Sequence, residues 1–402
     1  MDYDLAIIGA GPSGLSFACS LRDSGLNIAV IEKQSRELLA DPPTDGRDIA
    51  LTHLSRKLMQ QQGSWQHIDS RQISPIQRAE VIDGDSPYTL DFNTPSDDTD
   101  ALGFLISNFR IRKAIFKEFD TLENATLIDA TEVSQVSSDD SGATVSLASG
   151  DSIRSSMIVA ADTRFSASRR QMGISSDLYD FGRTAIVCWM KHALSHQQTA
   201  FECFHYGRTL AVLPMPGDMS SIVVTAATDQ AEAILDMKRA AYNQDIEERL
   251  NGRLGAMQQK GKRYPYPLVG VHANRFFARR FALVGDAAVG MHPVTAHGFN
   301  LGLSGQDLLA GEILNSLSQG RDFWHPDALS RYQRKHMLST RPLYHGTNSI
   351  VSLFTNDSLP ATLLRKAALR LSNNLPPVKW AITQKLMTKN QLNLILPTLL
   401  QR

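Results

Sequence analysis

Two glycine-rich segments carry the chemical signal of this chain, and they stand far apart in it. Gly9-Ala10-Gly11-Pro12-Ser13-Gly14 follows the apolar run Leu5-Ala6-Ile7-Ile8. Gly285-Asp286-Ala287-Ala288 follows Phe281-Ala282-Leu283-Val284 and leads to His292-Pro293 and Gly298-Phe299-Asn300-Leu301-Gly302. Each alone is a weak signal. Together, in this order, they point to the two ends of one dinucleotide, and to FAD rather than NAD.

The first motif has a mechanical purpose. Gly9 permits a tight turn, Gly11 lets the backbone approach a pyrophosphate, and Gly14 lets a helix pack on a strand. With Ser13 in its first turn, that helix faces the phosphates with free N–H groups and the positive end of its dipole. Glu32 ends the next apolar run, Ile28–Ile31, where an acid accepts hydrogen bonds from an adenosine ribose. A chance glycine turn is the plain alternative; the strand, helix and acid at the right spacing argue against it. In the second motif, a strand ending in Gly285-Asp286 aims a carboxylate at a ribityl hydroxyl. The loop from Pro293 to Asn300 and the helix it opens then present N–H groups to a flavin's pyrimidine edge, where the reduced ring becomes anionic. Its plain alternative is a turn with a capping aspartate.

The elements that must position these residues follow from periodicity. Residues 3–8 read as a buried strand, Ser13 to about Ser24 as a helix ended by Gly25, and 28–32 as a second strand. Helices are expected over Ala50–Gln62 and Asn108–Thr121. Asp83–Asp100 reads as loop with one short strand at Tyr88–Phe92. Short strands are expected within 126–160, at Thr144–Leu147 and Met157–Ala161. From Thr184 to Thr228 the pattern becomes β-type, with runs at Ala185–Met190, Phe201–His205, Thr209–Leu213 and Ser221–Ala226, which suggests an antiparallel sheet. A long helical segment, Asp229 to about Met257, follows, then Tyr264-Pro265-Tyr266-Pro267 and a return to the first fold at Phe281.

Composition sets the boundaries of the reading. A chain of 402 residues exceeds one simple core. Hydrophobic and charged contents of 42% and 20% are ordinary for a globular protein, and 41 basic against 41 acidic residues give no field that favours nucleic acid. Cys19, Cys188 and Cys203 are too few and too scattered for a disulfide framework or a zinc site, and suit a reducing cytosol; no metal site is expected. Asp2 and Asp4 precede a strand of the fold, so no signal peptide is read, and no apolar stretch of ~20 residues reads as a membrane span. One composition shift is strong. After Asp357 there is no acidic residue, while Arg365, Lys366, Arg370, Lys379, Lys385, Lys389 and Arg402 stand among leucines and isoleucines.

These segments resemble the FAD-dependent aromatic-ring hydroxylases, the para-hydroxybenzoate hydroxylase-like fold, over nearly the whole chain. Within them the sequence looks most like the ubiquinone-biosynthesis hydroxylases, in particular the demethoxyubiquinol hydroxylase subgroup. The resemblance is carried by Gly9–Gly14, Glu32, Gly46-Arg47-Asp48-Ile49-Ala50-Leu51, Asn108–Ala114, Ala160–Arg170, Gly285–Gly302 and the basic tail. It implies an α/β fold: a Rossmann-like FAD-binding domain with an inserted antiparallel β-sheet substrate domain and a helical C-terminus. The expected division is 1–75, 101–180 and 272–350 for FAD, 76–100 and 181–271 for substrate, and 351–402 as a basic helical tail. It also implies that Arg47 lies near the flavin's phosphates and ribityl, that Asn108 contacts the ribityl chain, and that Asp162 serves FAD and nicotinamide. Three departures stand out: Thr163 replaces a glycine, Val289 a histidine, and Ala296-His297-Gly298 a Gly-Gln-Gly.

The chemistry implied by the resemblance uses FAD with NAD(P)H as electron donor and O2, through a flavin C4a-hydroperoxide, to hydroxylate an electron-rich phenolic ring. No protein nucleophile is needed. The residues placed nearest the reaction are His297, His292 and Pro293; a neutral imidazole there can help deprotonate a phenol, though ordering the loop is the plainer role of both histidines. Phe204, Tyr206, Leu213, Met215 and Pro216 are candidate pocket residues, or core. The tail suits peripheral contact with an anionic inner membrane surface and a polyprenylated substrate; a solvated helix, a homo-oligomer contact or a biosynthetic complex are its alternatives. Two other functions stay open: an FAD hydroxylase of a soluble aromatic acid, and a non-catalytic FAD-containing accessory subunit. Halogenase chemistry is disfavoured, because no Trp-x-Trp-x-Ile-Pro segment is present.

Overall fold

The computed structural model describes residues 2–83, 89–94, 101–205, 207–291 and 297–355. The chain opens with β1 (Tyr3–Ile8), α1 (Pro12–Ser20) and β2 (Ile28–Ile31). Leu5, Ala6 and Ile7 and all of β2 are 0–1% exposed, because parallel strands covered on both faces are apolar throughout rather than alternating. After α2 (Arg36–Ala40) comes β3 (Asp48–Leu51), then α3 (His53–Gln61). The helix expected over Ala50–Gln62 is therefore shorter. Ile49–Leu51 pairs antiparallel with a later strand, and Thr52 starts the helix by accepting from the Ser55 N–H.

Next come β4 (Ser74–Ile76), β5 (Arg78–Asp83), β6 (Thr89–Asn93), β7 (Gly103–Ser107) and α4 (Asn108–Phe119). Then follow β8 (Ala125–Ile128), β9 (Val133–Ser138), β10 (Ala143–Leu147), β11 (Ser152–Ala160) and α5 (Ala167–Gln171). β3, β4 and β7 form a small sheet of their own. β1 lies between β2 and β11, with β8 beyond β2, all parallel.

β12 (Ser176–His192), β13 (Thr199–His205), β14 (Arg208–Pro214) and β15 (Met219–Ala227) form the antiparallel sheet read from the sequence. The expected long helix breaks in two, α6 (Thr228–Asp236) and α7 (Arg239–Arg249). Gly252 and Gly255 then turn the chain with positive φ into β16 (Met257–Ala273). Tyr264-Pro265-Tyr266-Pro267 lies within β16, paired to β12. Its other partner, a two-residue strand, is met only at Val271 and His272, so both prolines occupy an edge where a missing N–H costs no ladder bond.

β17 (Phe277–Ala278) and β18 (Phe281–Leu283) return to the first sheet, where β18 lies parallel to β11. β19 (Val289–Gly290), α8 (His297–Ser318) and α9 (Pro326–Thr355) complete the described chain. The second sheet runs β19-β16-β12-β15-β14-β13-β5-β6. One of its faces, through Ile186, Cys188, Leu210, Val212, Ile222 and Val224, packs on Ile234, Tyr242 and Ile246 of α6 and α7. Its other face turns toward the small sheet, against which Ala79, Val81, Ala200 and Leu213 pack with Leu105 and Ala50. Among the described residues no helix is long and apolar enough to cross a membrane. The basic tail beyond Thr355 lies outside the described residues.

Candidate functional site

The two glycine segments meet at one side chain. A Cβ added to Gly285 would lie 2.5 Å from Ser13 Oγ, and one added to Gly302 would lie 2.9 Å from the same atom. Ser13, in the first turn of α1, thus sits against both the Gly-Asp turn and α8. Gly9 has φ +105°, and a Cβ there would strike the Ala161 carbonyl oxygen at 2.6 Å; one on Gly14 would strike the Gly9 carbonyl oxygen. These contacts hold α1 tight on β1. Gly11 and Gly298 differ: a side chain on either would meet open space among the described residues. The carboxylate of Glu32 accepts from Ala10 N at 2.7 Å and Gln34 N at 3.0 Å, which ties the end of β2 to the glycine turn.

A second group assembles around Asp45, which the sequence reading did not single out. Its carboxylate takes Arg47 Nη2 at 2.6 Å and Asn108 Nδ2 at 2.8 Å, while its carbonyl accepts from the Tyr266 hydroxyl at 2.6 Å. The Arg47 guanidinium lies over the Tyr266 ring, 5.1 Å from its centroid. Arg47 and Asn108 therefore share one partner, brought together by the loop before β3, the start of α4 and β16. The only trace in sequence is the Asp-Gly-Arg adjacency of 45–47.

Asp286 forms an ion pair with Arg164 at 3.1 Å, and Arg164 also donates to the Val269 carbonyl. Asp162, at the end of β11 and beside Gly9, has a buried Oδ1 with no hydrogen-bond partner. Thr163 stands outside the left-handed region and its hydroxyl accepts from Phe165 N, so the glycine it replaces is not missed for backbone reasons.

Asn300 is a clamp. Its Oδ1 accepts from Thr52 N at 3.0 Å and Ser55 Oγ at 2.6 Å, and its Nδ2 donates to the Ala50 carbonyl, so the start of α8 is tied to β3 and α3. Both ends of that amide are committed to the protein, so a contact of Asn300 with a cofactor would come from its backbone at the start of α8. Phe299 packs against the main core. His292 and Pro293 lie outside the described residues; His297 begins α8, and its side chain lies outside them too.

Asp48 joins the small sheet to the large one. Ser107 Oγ and Trp189 Nε1 donate to its two oxygens at 2.6 and 2.8 Å. Burial raises its pKa, and these hydrogen bonds oppose the shift. Of the expected pocket residues, Leu213 and Met215 pack under the small sheet, Phe204 is half-buried, Pro216 is exposed at a turn, and Tyr206 lies outside the described residues. Glu202 was missed. It stands on the same face as Ala200 and Leu213, between strands whose residues there are Val81 and Ala211.

The surface suits FAD. Gly11 and Gly298 meet open space among the described residues, a helix N-terminus lies at each, and Asp162 keeps a buried acceptor for a ligand donor. The model of the FAD binding domain matches residues 2–335. The chain belongs to this family. Its relatives include the ubiquinone hydroxylase UbiM of Neisseria meningitidis, 47% identical over 387 residues, with 95% of this chain and 84% of that one covered. Ubiquinone hydroxylase UbiL of Rhodospirillum rubrum is 32% identical, with 94% and 87% covered. Among solved structures, Pseudomonas aeruginosa PqsL in complex with 2-aminobenzoylacetate superposes with TM-score 0.76 at 20% identity, covering 88% of this chain and 97% of its own. As a member of the FAD binding domain family with hydroxylase relatives, the protein is an FAD-dependent monooxygenase.

Proposed function

We propose that this flavoprotein hydroxylates the ring of a polyprenylated phenol or quinol in ubiquinone biosynthesis, with O2 and NAD(P)H. The observation that carries the reading is the floor of the large sheet. Among the described residues, the mid-sheet positions Ala185, Val187, Trp189, Ala200, Ala211, Leu213 and Val223, on the face away from α6 and α7, include no cation, and Lys260 beside Trp189 is turned to Gln258. Arg183, at the last pair that β12 makes with β15, donates to the Gly207 carbonyl. A soluble aromatic acid needs a cation for its carboxylate, because an unpaired buried charge is costly. A neutral ring does not. The similarity to ubiquinone hydroxylases supports the same choice.

When bound, FAD supplies the oxygen-transfer chemistry. The rest falls to the chain, with 1–75, 101–180 and 272–350 as the flavin-holding part and 76–100 and 181–271 as the substrate part. In this reading the N–H groups of Gly11, Ser13 and Gly14 hold the pyrophosphate and Glu32 the adenosine ribose. Arg47, Asn108, Asp45 and Asp162 line the ribityl side, with Asp286 beside Arg164. Gly298 and the first turn of α8 meet the ring, and the apolar floor orients the substrate and excludes water. The basic segment after Asp357 would hold the protein at an anionic membrane surface, where such a substrate resides.

A deletion strain should accumulate a quinone precursor lacking one ring hydroxyl, and its structure names substrate and position together. Normal ubiquinone in that strain, with an aromatic acid accumulating instead, would defeat the proposal.

A further inference from the structure

Neighbouring residues in the middle of the large sheet differ sharply in exposure. Leu210, Val212, Ile222 and Val224, on the helix-covered face, are 0–1% exposed. Ala211 and Val223, between them on the opposite face, keep accessible surface although they lie mid-strand in an interior part of the sheet. Glu202 completes their row, opposite Ala211 on β14 and Val81 on β5. Its carboxyl is enclosed by protein, while the residue as a whole, like Ala211, is only partly buried. The row continues from Val223 to Val187, which packs under Gly46 beside Tyr264. From Val187 to Glu202 is three strand spacings, roughly 14 Å, room for one substituted aromatic ring.

We propose that Glu202 is a substrate-contacting, specificity-determining residue. Its carboxyl hydrogen-bonds a hydroxyl of a neutral phenol or quinol laid over Val223 and Ala211, and once ionised it turns away rings that bear a carboxylate. The inference rests on the substrate class proposed above and names a residue that sharpens it as the carboxyl ionises. Burial pushes the Glu202 carboxyl up to about 8, with no neighbouring charge contributing. The described residues around it agree: Val81 faces it from β5 and Ala211 from β14, and Ala50 and Leu105 cover this side from the small sheet. Glu80 and Arg253 are paired with each other on the reverse face, and Asp48 is taken up by Trp189 and Ser107. The group is thus neutral below about pH 8 and ionised above it. An ionised carboxylate accepts a phenol hydroxyl more strongly than the neutral acid does. It repels an anion.

The two ligand classes should therefore respond to pH with opposite signs. FAD-loaded protein is titrated with 2-geranylphenol and with 4-hydroxybenzoate from pH 6.5 to 9, and binding is read from flavin fluorescence. In the wild type, geranylphenol should tighten several-fold through pH 8, while 4-hydroxybenzoate, already at least tenfold weaker at pH 7, weakens further. In Glu202→Gln both curves should flatten and the discrimination at pH 9 should fall by about tenfold. If that variant fails to hold FAD, Glu202→Asp serves instead, and there the divergence should persist. Unchanged pH curves in Glu202→Gln, or no divergence in Glu202→Asp, would overturn the role of Glu202 and leave the substrate class standing. A wild type that binds 4-hydroxybenzoate better than geranylphenol would overturn the substrate class itself.

Discussion

Replacing Gly285 by alanine tests whether the two glycine motifs are mechanically one unit. The new Cβ would lie 2.5 Å from Ser13 Oγ and 2.7 Å from Ser13 Cβ, at a residue with φ +60°. The left-handed backbone costs alanine about 1–2 kcal/mol. Overpacking against Ser13 adds about 1–3 kcal/mol if the site cannot relax. Ser13 lies in the first turn of α1, so relief requires that turn to shift, and with it the N–H groups offered to the pyrophosphate. Losing two such bonds at about 1 kcal/mol each weakens FAD by roughly 10- to 100-fold. The second variant is Ser13→Gly, which removes both clashing atoms at a helix-propensity cost of about 0.5 kcal/mol. FAD affinity is measured by fluorescence quenching for the wild type, G285A, S13G and S13G/G285A. The double variant should bind at least fivefold more tightly than G285A, a favourable coupling that additivity does not produce. Wild-type affinity in G285A, or no recovery in the double variant, would refute the reasoning.

Two further outcomes follow from buried polar groups. Asp162→Ala should leave the apoprotein's urea midpoint unchanged, since the buried Oδ1 has no partner there, but should weaken FAD about tenfold, the loss of one charged hydrogen bond. Burial depresses the pKa of His336 to about 3 and of His272 to about 4, well below the ~6.5 of an unfolded chain. The unfolded state therefore binds the extra protons, and stability present above pH 6.5 should be lost as pH falls toward 4, by at most about 1.4 kcal/mol per pH unit for each histidine. His336→Gln should remove about half of that slope in urea titrations at pH 7, 6 and 5, and an unaltered slope would exclude His336 as a source.

Much of the fold could be read in advance because local rules decided it. The apolar runs at 5–8 and 28–31 need cover on both faces, and the alternation from 185 to 226 needs it on one. The errors came where local pattern is ambiguous. Ala50–Leu51 has the apolar character of a helix start, and only pairing with β7 makes it strand. Residues 229–257 favour helix, but the chain extends at Met237 and Lys238 and then turns with positive φ at Gly252 and Gly255. Prolines at 265 and 267 argue against a strand unless the position is an edge.

By itself the sequence determined where a dinucleotide's phosphates must be met, because Gly9, Gly11 and Gly14 answer to backbone geometry, a local property. Tertiary structure alone decided the partners. Ser13 lies between Gly285 and Gly302; Arg47 and Asn108 converge on Asp45; Asn300 is spent on Thr52, Ser55 and Ala50. Glu202 shows the reason most plainly. Strand alternation puts it on one face of a sheet, but which face carries the helices and which the small sheet depends on chain segments remote in sequence, and that contact turns a surface-like glutamate into an enclosed one.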